Sequence, residues 1–114
     1  MKQIKIYDPA LCCPTGLCGV NIDPELMRIA VVVETLKRKN ITVDRFNLRD
    51  HPQVYVDNKS INECLMKEGA EVLPIITVDG EIVMTKAYPS NQQIAEWLGI
   101  PVSELNYSYN PQSK

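Results

Sequence analysis

Residues 72–84, Val-Leu-Pro-Ile-Ile-Thr-Val-Asp-Gly-Glu-Ile-Val-Met, constrain the fold of this chain more than any other stretch. Two runs rich in β-branched residues flank Asp79-Gly80, a pair able to take the positive φ angles that a tight type I′ turn demands. The stretch therefore reads as an antiparallel hairpin, with Leu73-Pro74 opening its first strand. A helix follows. Ser90 and Gln93 have the spacing of a capping box, and Ile94, Trp97 and Leu98 form an inner face. Gly99 ends that helix and Pro101 prevents its resumption.

The N-terminal half alternates in the same way. Gln3 to Tyr7 has the polar–apolar alternation of a strand, and Asp23, Pro24 and Glu25 supply an N-cap, a first helical position and a first-turn carboxylate. Lys37, Arg38 and Lys39 suit the negative end of a helix dipole, so a helix is expected over 24–39. Leu26, Ile29, Ala30, Val33 and Leu36 keep helical spacing, while Met27, Val31 and Val32 extend the apolar surface round the cylinder. Such a helix is either covered on two sides or meets a partner.

Ile41 to Leu48 reads as a second strand, His51-Pro52 opens a less regular stretch, and Ser60 to Glu68 reads as a helix closed by Gly69. Ile61, Cys64 and Leu65 share one face of that helix, which makes Cys64 a core residue rather than a ligand. His51, beside a proline at a helix start, reads as a surface or capping residue. The resulting order is β-α-β-α-β-β-α. It describes one α/β domain over residues 1–105, with a mixed four-stranded sheet between helices, followed by a polar tail over 106–114.

With 114 residues and 45% hydrophobic content, the chain suffices for one modest core. The opening residues show no export signal and no segment approaches a membrane span, which points to the cytoplasm and reduced thiols. A net charge of −2 and a pI near 5.3 give no global attraction to nucleic acid.

Three of the four cysteines, Cys12, Cys13 and Cys18, fall within seven residues. Soft thiolates select thiophilic ions, and three sulfurs without a fourth nearby ligand suit a centre that forms three bonds and keeps a lone pair. Trivalent arsenic or antimony is such a centre. The spacing serves other chemistry poorly. No pair is the C-x-x-C of a dithiol redox catalyst. A disulfide between neighbours would hold its Cα atoms about 3.8 Å apart, below the usual range that begins near 4.4 Å. Structural zinc normally takes four ligands in two separated pairs, whereas His51 and Cys64 stand far off in sequence. Simple packing of small apolar thiols is the remaining alternative, weakened because Pro14, Gly16 and Gly19 mark this segment as a loop.

The element order, with Leu73-Pro74 at the start of the third strand, resembles the thioredoxin fold. That likeness implies a cis peptide before Pro74, close to the loop after the first strand. The wider pattern comprises residues 7–19, Tyr-Asp-Pro-Ala-Leu-Cys-Cys-Pro-Thr-Gly-Leu-Cys-Gly, then Arg45-Phe-Asn-Leu48, Gly69-Ala-Glu-Val-Leu-Pro74, Asp79-Gly-Glu81 and Trp97-Leu-Gly-Ile-Pro101. Together these resemble the ArsD family of bacterial arsenical-resistance operons over nearly the whole chain to about residue 105. The resemblance implies that Cys12, Cys13 and Cys18 bind arsenite or antimonite, As(III) or Sb(III), and hand it to the ATPase subunit of an efflux pump. It implies no cofactor and no catalytic residue. It also implies a homodimer and weak trans-acting repression of the operon, hence contact with operator DNA. Longer members carry further vicinal cysteine pairs after the domain; Ser103 to Lys114 contains none.

Repression has no support of its own in the residues. No helix-turn-helix pattern is visible, and Arg28, Lys37, Arg38, Lys39, Arg45 and Arg49 read as helix-end charges and a solvated face, with a local basic patch as the competing reading. Two other classes stay open: a thioredoxin-like thiol–disulfide oxidoreductase, distinguished by insulin reduction, and a pure DNA-binding regulator, distinguished by a salt-dependent gel shift.

Overall fold

The computed structural model describes residues 3–10 and 24–105. Its elements run β1 (Ile4–Asp8), α1 (Pro24–Arg38), β2 (Asp44–Asn47), α2 (Pro52–Asp57), α3 (Lys59–Glu68), β3 (Ile75–Val78), β4 (Glu81–Thr85) and α4 (Asn91–Leu98), with 3-10 turns at Ala70–Val72 and Val102–Glu104. The sheet order is β2-β1-β3-β4. β1 pairs parallel with β2 and antiparallel with β3, and β3 pairs antiparallel with β4. This is the mixed four-stranded sheet expected from the element order and the thioredoxin-like resemblance.

Side-chain alternation divides the core between the two faces of that sheet. Ile4 and Ile6 of β1 and Ile76 and Val78 of β3 pack with Ile29, Val32 and Leu36 of α1 and Ile94, Ala95 and Leu98 of α4. Tyr7 and Ile75 point to the other cluster, with Tyr55 of α2, Ile61 of α3, Val72 and Leu73. All four residues of β3 are buried, because this central strand has helices over both faces.

The hairpin turn is as the dipeptide requires: Asp79 has φ 53° and Gly80 φ 88°. The Asp79 carboxylate also accepts from the Gln3 amide at 2.8 Å, tying the turn to the start of β1. Ser90 and Gln93 form a complete capping box on α4, and Gly99 ends the helix in the left-handed conformation. The Leu73-Pro74 peptide is cis.

Several expectations need correction. The first strand is Ile4–Asp8 rather than Gln3 to Tyr7, because Asp8 still pairs with Asn47 of β2. The second strand is only Asp44–Asn47, shorter than 41–48. Ile41 and Val43 are buried in the core without ladder pairing. The irregular stretch after His51 is the helix α2, started by Pro52 at a first-turn position where its missing N–H costs nothing. The order is therefore β-α-β-α-α-β-β-α, with Asn58 between α2 and α3. There the Asn58 side chain caps α3 by accepting from the Ile61 amide. The third strand begins at Ile75, since Val72 lies in a 3-10 turn.

On α1, which ends at Arg38, the inner stripe is Ile29, Val32 and Leu36, spaced i, i+3, i+7, with Val33 packed against it. Val32 is thus a core residue and not part of an outward apolar surplus; Met27 remains 48% exposed and Val31 is intermediate. Among the described residues, no helix is long and apolar enough to cross a membrane.

Candidate functional site

Cys12, Cys13 and Cys18 lie outside the described residues, in the segment that joins Ala10 to Pro24. What the structure shows is the platform at the two ends of that segment. Pro9 from one end and Glu25 and Leu26 from the other line an open cleft of about 380 Å³, together with Pro74, Lys86, Ala87 and Tyr88. The two ends of a chain segment rich in thiols thus meet at one cleft, beside the cis proline.

Under this cleft sits a buried polar network. Asp8, the last residue of β1, has no exposed surface. Arg45 of β2 grips its carboxylate with two bonds, Nε to Oδ2 at 2.9 Å and Nη2 to Oδ1 at 3.1 Å. The Tyr88 hydroxyl donates to Asp8 Oδ1 in a short hydrogen bond. The Tyr55 hydroxyl is placed against two main-chain carbonyls, Asp8 O at 2.5 Å and Phe46 O at 2.9 Å. The end of β1 is therefore fixed through its side chain and its backbone by β2, α2 and the connection after β4.

Burial, and then the Asp8 charge, push the hydroxyls of Tyr55 and Tyr88 well above the ordinary tyrosine value of 10.0. The folded state holds these two protons more tightly than the unfolded chain, so their contribution is complete below pH 10 and is lost as pH rises beyond it. In an alkaline titration followed by phenolate absorbance, Tyr55 and Tyr88 are expected to ionise only with unfolding. The urea midpoint should fall over the same range. A midpoint that stays level between about pH 9 and 11 would contradict this.

At the mouth of α1, Arg28 donates to both oxygens of Glu25, at 3.0 and 2.7 Å, and holds that carboxyl below the usual carboxylate range. Arg28 also donates to Asn91 Oδ1 at 2.8 Å, and Asn91 donates to the Leu105 carbonyl at 3.1 Å. The exit of the cysteine segment is thereby linked to the start of α4 and to Leu105.

Other residues singled out from sequence fall elsewhere. Cys64 is half-buried against the cluster of Tyr55 and Ile61, as a core residue of α3 should be. His51 is exposed at the start of α2, where Nδ1 accepts from the Asn47 amide at 3.3 Å and its ring meets Phe46 edge-on. Among the described residues no group of three or more His, Cys, Asp or Glu side chains is arranged to hold a metal ion.

Five of the six basic residues singled out from sequence have a carboxylate partner. Arg28 pairs with Glu25, Arg38 with Glu34, Lys39 with Glu104 and Arg49 with Asp50. Arg45, grouped among the solvated charges, is instead the partner of the buried Asp8. Asp8 lies inside the family pattern of residues 7–19 but has no role assigned from sequence, and Tyr55 and Tyr88 fall in no quoted motif. The one available cue was a carboxylate closing the apolar strand Ile4-Lys-Ile-Tyr-Asp8 and followed by Pro9.

This is a thioredoxin-like α/β protein whose thiol segment leaves the carboxyl end of β1 beside a cis proline. The profile of the family described as "Arsenical resistance operon protein ArsD" matches residues 1–114, and the chain belongs to that family. Two Escherichia coli relatives named arsenical resistance operon trans-acting repressor ArsD are each 38% identical over 105 residues, 92% of this chain and 88% of theirs. A crystal structure of an arsenical resistance operon trans-acting repressor from Bacteroides vulgatus is 61% identical. It superposes with a TM-score of 0.86, over 89% of this chain and 95% of the other.

Proposed function

We propose that this chain is a carrier of trivalent arsenic or antimony, holding the metalloid on Cys12, Cys13 and Cys18 and delivering it to the ATPase subunit of an arsenite efflux pump. The observation that carries the reading is the trithiol motif itself, three soft sulfurs within seven residues, in a chain of the arsenical-resistance family. The cleft between Pro9, Leu26, Pro74 and Tyr88 supports it, because residues from both sides of the thiol segment line it.

The chemistry is ligand exchange without turnover. Neutral arsenous acid has three hydroxyls. Each thiol that replaces one forms an As–S bond, and its proton leaves with the hydroxyl as water. Three exchanges consume three thiols and release three waters, with no change of oxidation state. Thiolates are the better nucleophiles, so a lowered thiol pKa would speed capture, and the positive helix N-terminus at Pro24 would assist if the loop folds over it. Transfer is the reverse exchange: acceptor sulfurs on the partner take the arsenic one bond at a time.

A second role, weak trans-acting repression of the operon, is favoured by the names of the Escherichia coli and Bacteroides relatives. In this reading the protein works in the cytoplasm as a homodimer and contacts operator DNA, without being an enzyme.

Mass spectrometry of the reduced protein with arsenite tests the carrier role. One arsenic is expected per chain, with the loss of three free thiols, and blocking the thiols beforehand should abolish the adduct. Loss of two thiols, or of none, would overturn the three-cysteine site.

A further inference from the structure

The ion pair under the cleft needs an explanation that stability does not provide. Removing a carboxylate and a guanidinium from water costs about as much as their attraction returns, and a well-packed apolar pair in their place is often as stable. A bidentate pair does supply direction. Arg45 takes Oδ2 with Nε and Oδ1 with Nη2, which fixes the plane of the Asp8 carboxylate. The free lone-pair direction on Oδ1 is then set, and the Tyr88 hydroxyl occupies it. Tyr88 is half-buried, and its ring forms the cleft wall together with Pro74 and with Pro9, the residue directly after Asp8.

We infer that Asp8, oriented by Arg45, is a positioning residue for metalloid capture, which acts by locking Tyr88 and Pro9 as the wall at which the cysteine segment begins. The inference deepens the carrier reading and rests on it. Three residues, or four residue steps of at most about 14 Å in all when extended, separate Asp8 from Cys12. Pro9 and the α1 residues Glu25 and Leu26 line one cleft, and a wall locked at Pro9 narrows the range of spacings open to the two sides of the thiol segment. Narrowing that range removes chain entropy before the metalloid arrives. If the wall is loose, that entropy must be lost on binding instead, and affinity falls with no loss of any sulfur ligand.

The test is Tyr88→Phe, which deletes one hydroxyl and keeps the ring, with Asp8→Asn as a second variant. Arsenite is titrated into reduced parent and variant, following sulfur-to-arsenic charge-transfer absorbance and free thiols, and melting curves are recorded for each. Tyr88→Phe is expected to stay folded at the titration temperature and to lose the same three thiols at saturation. Its affinity should be weaker by about tenfold, the scale of one hydrogen bond to a charged group. Asp8→Asn should weaken binding at least as much where it folds. A purely structural bond would lower the melting temperature and leave the affinity unchanged, and that result in Tyr88→Phe overturns the inference while the carrier reading stands. A parent protein that takes no arsenite overturns both.

Discussion

Replacing Cys12, Cys13 or Cys18 singly with serine is expected to weaken arsenite binding by on the order of a hundredfold or more, while Cys64→Ser leaves it nearly unchanged. The size follows from chelation. Once the first sulfur holds the arsenic, each further sulfur binds intramolecularly at a high effective concentration, a gain of roughly 10²–10⁴ that is lost when one thiol is removed. Serine keeps the shape of cysteine but is a hard, poorly ionised oxygen ligand, so it does not restore the third soft bond. Cys64 packs beside Ile61 in the α3 core, and a half-buried thiol replaced by hydroxyl alters stability rather than ligation. Arsenite titration with thiol counting on the four variants gives the answer. A folded Cys64→Ser protein unable to bind would make Cys64 a ligand. Full affinity in any of the other three would remove that residue from the site.

The second large effect concerns Arg45. Asp8 has no exposed surface, so Arg45→Met leaves a buried carboxylate without its counter-charge, at an expected cost of about 3–5 kcal/mol. That is a large part of the roughly 5–15 kcal/mol that stabilises a typical domain. The same physics predicts a rescue. Replacing the whole network by apolar groups, Asp8→Leu with Arg45→Met and Tyr88→Phe, removes every stranded polar atom at once and should recover most of the loss. Urea denaturation of parent, single and triple variants tests both statements. An Arg45→Met protein within about 1 kcal/mol of the parent would mean that water or another donor reaches Asp8. A triple variant no better than the single one would mean that the network's worth lies in the pair itself. If the positioning role of Asp8 also holds, the rescued triple variant should be stable and yet poor at capturing arsenite.

Local rules made much of this fold legible. The Asp79-Gly80 turn, the Ser90–Gln93 capping box and the Gly99 terminator each depend on backbone chemistry within four residues, and all are found where the sequence places them; the Asp23 cap expected for α1 lies outside the described residues. The thiol motif is equally local, a matter of residue type and spacing, and with the family pattern around it carries most of the functional reading. Cys64 follows the same short-range logic, since i, i+3 and i+4 spacing alone groups it with Ile61 and Leu65, beside which it packs.

Where the structure departs from the sequence pattern, long-range packing is the cause. Val32 looked surplus because the apolar stripe of α1 is wide enough to be rotated by one position. Only packing against Ile6 and Ile76 of the sheet decided that Ile29, Val32 and Leu36 face inward. The second strand is shorter than its apolar run because hydrophobicity marks burial, whereas a strand also needs a ladder partner, and β1 offers one only to Asp44–Asn47. Arg45 reads as a solvated charge in one dimension for the same reason. A guanidinium 37 residues from Asp8 becomes its partner only when β1 and β2 lie side by side, and Tyr88, 80 residues away, joins them only after β4 has folded back along β3. Turns, caps and thiol spacing are short-range and therefore readable in one dimension. The charged base beneath the cleft is assembled from three strands' worth of long-range pairing, and it exists only in the folded chain.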